Sequence, residues 1–216
     1  MERNIQIKLE EARKWFNSEN TTLKEIALRC FTKEELKCEF KDIKTFKDAC
    51  TALNFNYDIA TVLAKDISVY SRAAAAMFKL NIIRKALNLN YDLSLVEDPK
   101  EFFIHYPYNP FITEDSAAFK KEIKEGPMEV IGKIKNKGIL YTVIGGYSCS
   151  SDDSGLGEFY YLSGVGYATA STGFLGCATK EIARHFGKYF GMLITEAKYT
   201  DMVDFEIIDD KYGNTK

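Results

Sequence analysis

Along the first half of the chain, apolar side chains recur at the spacing of one helix face. Ile5, Leu9, Ala12 and Phe16 stand four, three and four residues apart, with Trp15 beside them, and predict a helix over about 2–17. Thr22 with Glu25 reads as a capping box that opens a helix over 23–31. Thr32 with Glu35 repeats the signal for a shorter helix, and Thr45 with Asp48 begins another that runs through Leu53. With Ser68 or Ser71 as its cap, the clearest stripe follows: Ala73, Ala76, Met77, Leu80, Ile83 and Leu87. Arg72, Lys79, Arg84 and Lys85 sit off that stripe, so the helix belongs at the centre of the core.

Past residue 90 the period changes. The aromatic segment 101–111, interrupted by Pro107 and Pro110, predicts a strand, a turn and an extended piece. A short helix over about 115–124 is closed by Gly126 and Pro127. Residues 128–135 and 139–145 then flank Asn136, Lys137 and Gly138, a three-residue hairpin connection. A polar loop over 148–157 leads to extended segments at 158–163 and 165–172, and in the second of these Gly166, Ala168 and Ala170 share a nearly bare face. The last helix, about 180–198 and capped by Thr179, carries Ile182, Phe186, Tyr189, Phe190 and Leu193 as its stripe. Ala183, Gly187 and Gly191 form a groove at spacings of four. Glycine inside a helix costs about 1 kcal/mol relative to alanine, so the groove should have a close partner, and the bare face at 166–170 is the expected one.

These elements predict an α+β domain: N-terminal helices, a central amphipathic helix, a largely antiparallel sheet, and a C-terminal helix packed on that sheet. The expected divisions are an accessory helical arm over 1–40, an α+β core over 41–200 and an acidic C-terminal tail over 201–216. Asp201, Asp204, Glu206, Asp209 and Asp210 cluster in that tail.

Composition narrows the chemistry. The 216 residues carry 29 Lys+Arg against 31 Asp+Glu, a formal net charge of -2, and 46% hydrophobic residues, which excludes disorder and a highly basic nucleic-acid coat. Nucleic acid therefore ranks below a small ligand or a protein as partner. Five cysteines, odd in number and with no Cys-x-x-Cys spacing, argue against a disulfide scaffold or zinc ribbon. The N-terminal composition predicts no secretory leader, no apolar run reaches membrane-spanning length, and the expected compartment is the cytoplasm.

No catalytic or metal motif emerges, and no cofactor is expected. Gly132-Lys133 is followed by Ile134 rather than Ser or Thr, so it is no P-loop, and Gly164-Val165-Gly166 lacks the third glycine of a dinucleotide fingerprint. His185, four residues after Glu181, reads as half of a surface Glu–His pair. Asp152 and Asp153 read as a solvated loop. Chemistry is best sought where glycines and tyrosines crowd together, because glycine lets backbone N–H groups reach an anion and tyrosine offers a flat face to a base or sugar. The candidate ligand-binding residues are Tyr106, Tyr108, Asn109, Gly145, Gly146, Tyr147, Gly164, Gly166 and Tyr167. Turns, sheet surface and close packing are the plainer reading of the same residues.

Several blocks carry a resemblance: 43–50 (Ile-Lys-Thr-Phe-Lys-Asp-Ala-Cys), 76–88 (Ala-Met-Phe-Lys-Leu-Asn-Ile-Ile-Arg-Lys-Ala-Leu-Asn), 106–111 (Tyr-Pro-Tyr-Asn-Pro-Phe), 164–177 and 182–193. They resemble an uncharacterised family of Bacteroides-group gut bacteria and their phages and prophages. The resemblance implies a phage or mobile-element setting and no particular activity. The expectation is a non-enzymatic, phage-associated binding protein, homo-oligomeric, that sequesters a nucleotide-like small molecule such as a host immune signal. Two rivals stand beside it. One is a structural or protein-interaction component, in the virion or as an oligomer. The other is an enzyme, whose cleft would gather perturbed acids or Cys149 and Cys177 beside a base.

Overall fold

The computed structural model describes residues 7–18, 20–89, 91, 105–109, 111–113, 129–145, 147–150, 175–201 and 204–215. The expected helix at 115–124 and the extended segments at 158–163 and 165–172 lie outside these residues.

Helices α1 (Leu9–Asn17), α2 (Thr21–Cys30) and α3 (Lys33–Leu36) open the chain. They bury Ala12, Ala27 and Leu36 in a small cluster of their own, edged by Ile7, Trp15, Phe16 and Phe31. Arg13 ties this cluster onward, donating to the Glu35 carbonyl at 2.9 Å and pairing with Asp42 at 3.3 Å. The Thr22–Glu25 box does not open α2. Asn20 caps it instead, its Oδ1 accepting from the Leu23 amide at 3.2 Å, because a side chain just before the first turn reaches the third N–H of the helix. The boxes at Thr32–Glu35 and Thr45–Asp48 form as expected.

After a 3-10 turn at Phe40–Asp42 come α4 (Phe46–Ala52), α5 (Tyr57–Ser68) and α6 (Arg72–Leu87). The sequence pattern had not marked α5. It turns Ala60 and Ala64 inward while Ile59, Val62 and Leu63 face solvent, the reverse of the pattern by which a helix is usually recognised. Ser71 caps α6 through the Ala74 amide, and Leu80, Ile83 and Leu87 are fully or almost fully buried.

The sheet comprises β2 (Phe111–Ile112), β3 (Glu129–Asn136), β4 (Ile139–Gly145) and β6 (Phe205–Asp210), in the antiparallel order β2-β4-β3-β6. A separate antiparallel pair joins β1 (His105–Tyr108) to β5 (Tyr147–Ser150). The hairpin between β3 and β4 is tighter than the three-residue connection expected: Asn136 already pairs with Ile139. Only Lys137 and Gly138 turn, both at positive φ (49° and 81°), the conformation whose twist matches the flanking strands. Register shifts in β3 bring Ile131 and Ile134 into one cluster although they stand three apart.

Two further expectations are corrected here. Residues 148–150 form part of β5 rather than starting a polar loop. The 201–216 segment is not a tail, for β6 pairs with β3 and directs Phe205 and Ile207 toward the sheet's apolar cluster. The Asn214 amide then donates to the Lys44 and Tyr189 carbonyls at 3.2 and 2.8 Å, which straps the segment to the core. Of the acidic side chains that read as a tail, Glu206 and Asp209 face out from the strand, Asp210 caps the turn after it by accepting from Tyr212, Gly213 and Thr215, and Asp201 accepts from Ser71.

The C-terminal helix α7 (Lys180–Tyr199) lies between the layers. Ile182, Phe186, Phe190 and Leu193 pack into the helical core with α4 and α6, while Met192 joins Ile131, Ile134 and Val143 under the sheet. At Gly191 a Cβ would collide with Ile131 and the Asn109 side chain, so the glycine groove has its close partner there. The 166–170 face expected to fill it lies outside the described residues.

Candidate functional site

Five of the predicted ligand residues come together. The β1–β5 pairing sets Tyr106 opposite Cys149 and Tyr108 opposite Tyr147, and joins segments some forty residues apart in sequence. Asn109, at the end of β1, is 6% exposed. Its amide donates to the Ile144 carbonyl at 3.0 Å and the Gly187 carbonyl at 2.8 Å, while its Oδ1 has no hydrogen-bond partner among the described residues. Asn109 therefore clamps β4 to α7. Gly145 allows the same approach, since a Cβ there would sit 2.6 Å from Ile131 Cγ2 and 3.0 Å from Lys188 Cα. Packing accounts for both residues. Gly146, Gly164, Gly166 and Tyr167 lie outside the described residues.

A second locus has the shape of a binding site. A cleft of about 440 Å³ opens between α5, α6 and the end of α7. Thr61, Lys65 and Ser68 line it from α5, where spacings of four and three set them on one face. Arg72 and Lys79, seven residues apart on α6, line it from the other side, and Thr215 of the C-terminal strap closes it. The small side chains of Ala64, Ala75 and Ala76 form part of the lining and leave the space open.

Glu196 lies in this cleft, 5% exposed, and accepts from Arg72 Nη2 at 2.8 Å and Nε at 3.2 Å through the same oxygen. Burial raises its carboxyl above the ordinary range, and the neighbouring Arg72 and Lys79 charges only partly offset this. Burial lowers the Lys79 ammonium, against the pull of Glu196 and Asp210. Glu196, with Asp210 near it, thus faces Arg72 and Lys79, and with Lys65 the lining carries three cationic side chains against one carboxylate. That arrangement suits an anion.

The sequence reading missed Glu196, Lys65 and Thr215, and it noted Arg72 and Lys79 only as residues off the apolar stripe. Each helix does carry a polar stripe at helical spacing. Their convergence depends on α5 lying beside α6, which no local pattern states.

The remaining candidates are explained otherwise. Cys177 is buried, its thiol pushed up to about 12 by burial and donating to the Leu175 carbonyl at 3.4 Å, so it is no ready nucleophile. His185 does not stand on the outer side of its helix as half of a surface pair. Its Nε2 lies 2.7 Å from the Ile43 carbonyl and its ring packs edge-on to Phe40, because the side chain fills the gap between α7 and the 3-10 turn. Among the described residues no His, Cys, Asp and Glu group could hold a metal ion, and no helix is long and apolar enough to cross a membrane. No known protein family, no curated protein and no solved structure matches the chain.

Proposed function

We propose that the protein is a non-enzymatic binding protein that captures an anionic, nucleotide-like small molecule in the α5–α6–α7 cleft. The observation that carries this reading is the convergence of Lys65, Arg72 and Lys79 on a cleft of about 440 Å³, a volume within the usual range for small-ligand sites. Phosphate groups would meet the two ammonium groups and the guanidinium, with the Thr61 hydroxyl beside them, while the Ser68 and Thr215 hydroxyls already donate to the Lys65 carbonyl and to Asp210. Arg72 is already held by Glu196, so its outer N–H groups are fixed in place before a ligand arrives. The resemblance of the blocks at 43–50 and 76–88 supports a phage- or prophage-associated setting in a host cytoplasm, where capture of an immune signal requires a pocket and no catalytic set. Native mass spectrometry and thermal shift with mononucleotides, cyclic dinucleotides and inorganic phosphate test this. A discrete added mass that Lys79→Met abolishes is expected. Silence across the whole panel would overturn the reading.

One observation favours a role in self-association as well. Ile59, Val62, Leu63, Val69 (78% exposed) and Tyr70 (92% exposed) run along the outer side of α5 and just past its end. Asp58 and Lys65 share one rim of that stripe, seven residues apart. In a two-fold antiparallel contact the Asp58 of each copy would approach the Lys65 of the other, so the face is complementary to itself. Light scattering should then give twice 24.6 kDa, reduced to one by Val62→Asp. A monomer at every concentration would exclude the contact.

A further inference from the structure

The C-terminal strap leads from the cleft to a different surface. Phe40, His185, Tyr189 and Tyr212 lie in a row, with successive ring centroids 5.4, 4.6 and 4.8 Å apart. All four are partly exposed. They come from the 3-10 turn, two turns of α7 and the strap; Phe40 and Tyr189 pack in part against the helical core and Tyr212 against the sheet cluster, and each keeps part of its surface in solvent. Four lysines border the row. Lys41 Nζ lies 5.9 Å from the Phe40 centroid, Lys44 and Lys188 lie 5.6 and 5.5 Å from that of Tyr189, and Lys211 lies 5.7 Å from that of Tyr212.

The charges divide into two kinds. Lys188 and Lys211 are both committed to Glu129, which also accepts from the Tyr212 hydroxyl. Lys41 and Lys44 have no carboxylate partner among the described residues. The carboxylates nearest them are engaged elsewhere: Asp42 pairs with Arg13, and Asp48 caps α4 through the Lys44 and Thr45 amides. Burial lowers the His185 pKa, so at neutral pH its ring is an uncharged flat surface and not a further cation.

We propose that this face binds single-stranded nucleic acid without sequence preference, bases against the rings and phosphates on Lys41 and Lys44. Aromatic side chains in successive contact and interleaved with lysines are what a strand of unpaired bases requires, because every base has a flat face and every linkage one charge. A duplex hides its bases and relies on charge alone, and a chain of net charge -2 supplies little of that. The even overall charge that argued against nucleic acid conceals this local separation: among the described residues Asp42, Asp48 and Glu129 are held in ion pairs and caps, and Lys41 and Lys44 have no carboxylate partner.

The test uses fluorescence anisotropy of the full chain with labelled dT12 and rU12, and with a 12-base-pair duplex, over 50–200 mM salt. Both single strands should bind more tightly than the duplex. With two phosphates neutralised, log K should fall against log salt with a slope of about -1.4. Lys41→Glu with Lys44→Glu should weaken binding ten-fold or more while the melting temperature is unchanged, since both side chains are exposed. Tyr189→Leu, which keeps the packing but removes the ring, should also weaken it, and Lys79→Met in the cleft should have no effect. Binding that ignores the lysine pair, a duplex bound as tightly as the single strands, or no binding at 50 mM salt would each overturn the proposal. The cleft reading would survive any of them.

Discussion

Two glutamates beside α7 meet cationic partners and respond in opposite directions. Glu196 is nearly enclosed, its carboxylate has Arg72 as its one hydrogen-bonding partner among the described residues, and its carboxyl is held above the ordinary range because burial outweighs that pairing. Glu129 is also raised by burial, its largest single influence. Hydrogen bonds from Lys188, Lys211 and Tyr212 together overcome it and bring the carboxyl down to about 2. The sign of the shift is set by the balance of burial against donors: Glu196 is the more deeply buried and has the fewer donors, and a salt bridge alone does not decide it. The first arrangement leaves an unsettled charge in a cleft, a feature of binding sites. The second fixes the strap to β3 and is structural.

The sharpest way to break this contrast is to remove Arg72. Its guanidinium hydrogen-bonds the Glu196 carboxylate, so Arg72→Ala should cost about 2–3 kcal/mol at pH 7, somewhat below the usual figure for a broken buried pair because Arg72 is half-exposed. Glu196 has a raised folded-state pKa, so its charged form destabilises the fold at neutral pH and acidification relieves it. The cost should therefore shrink by pH 5 in urea denaturation. An equal cost at both pH values would show that Glu196 is not the reason.

Glu129→Gln comes next, at about 1–2 kcal/mol. With a folded pKa of about 2 against an ordinary glutamate value near 4.3, the stabilisation from Glu129 is fully present above about pH 4.3 and is lost as pH falls toward 2. Parent and variant curves should converge over that acid range. Lys188→Met should cost less, under about 1 kcal/mol in the same experiment, because Lys211 and Tyr212 still hold the carboxylate.

How much of this was legible in the sequence follows from the range over which each signal acts. Thr32, Thr45, Ser71 and Thr179 cap their helices within three residues, and those ends could be read directly. The stripe of α6 was legible because large side chains face inward. Helix α5 was not, since alanines face inward and its large apolar residues face out, where periodicity reads them as the wrong side. The strand at 205–210 was hidden by its own acids, whose outward alternation resembles a solvated run once the partner β3 is unknown. The clamping role of Asn109 could not be read locally, because the carbonyls it serves, on Ile144 and Gly187, lie 35 and 78 residues away. The cleft could not be read for the same reason: Lys65, Arg72, Glu196 and Thr215 meet only when α5, α6, α7 and the strap are in place.

The smallest effect on stability bears most directly on function. Lys79 lies in the cleft with its ammonium depressed by burial, so the folded state tolerates the charge less well than water does. A lysine held only for packing would be improved by losing that charge: Lys79→Met keeps the unbranched stem and removes the desolvated group, and should leave stability unchanged or raise it by a few tenths of a kcal/mol. If the cleft binds an anion, the same substitution should lower affinity for the bound nucleotide at least ten-fold. Loss of binding with a gain in stability is the signature of a charge kept for a ligand. Should melting and titration instead show Lys79→Met less stable and equally able to bind, Lys79 would join Lys188 as a structural cation, and the contrast between the two glutamates would no longer separate a binding cleft from a clamp.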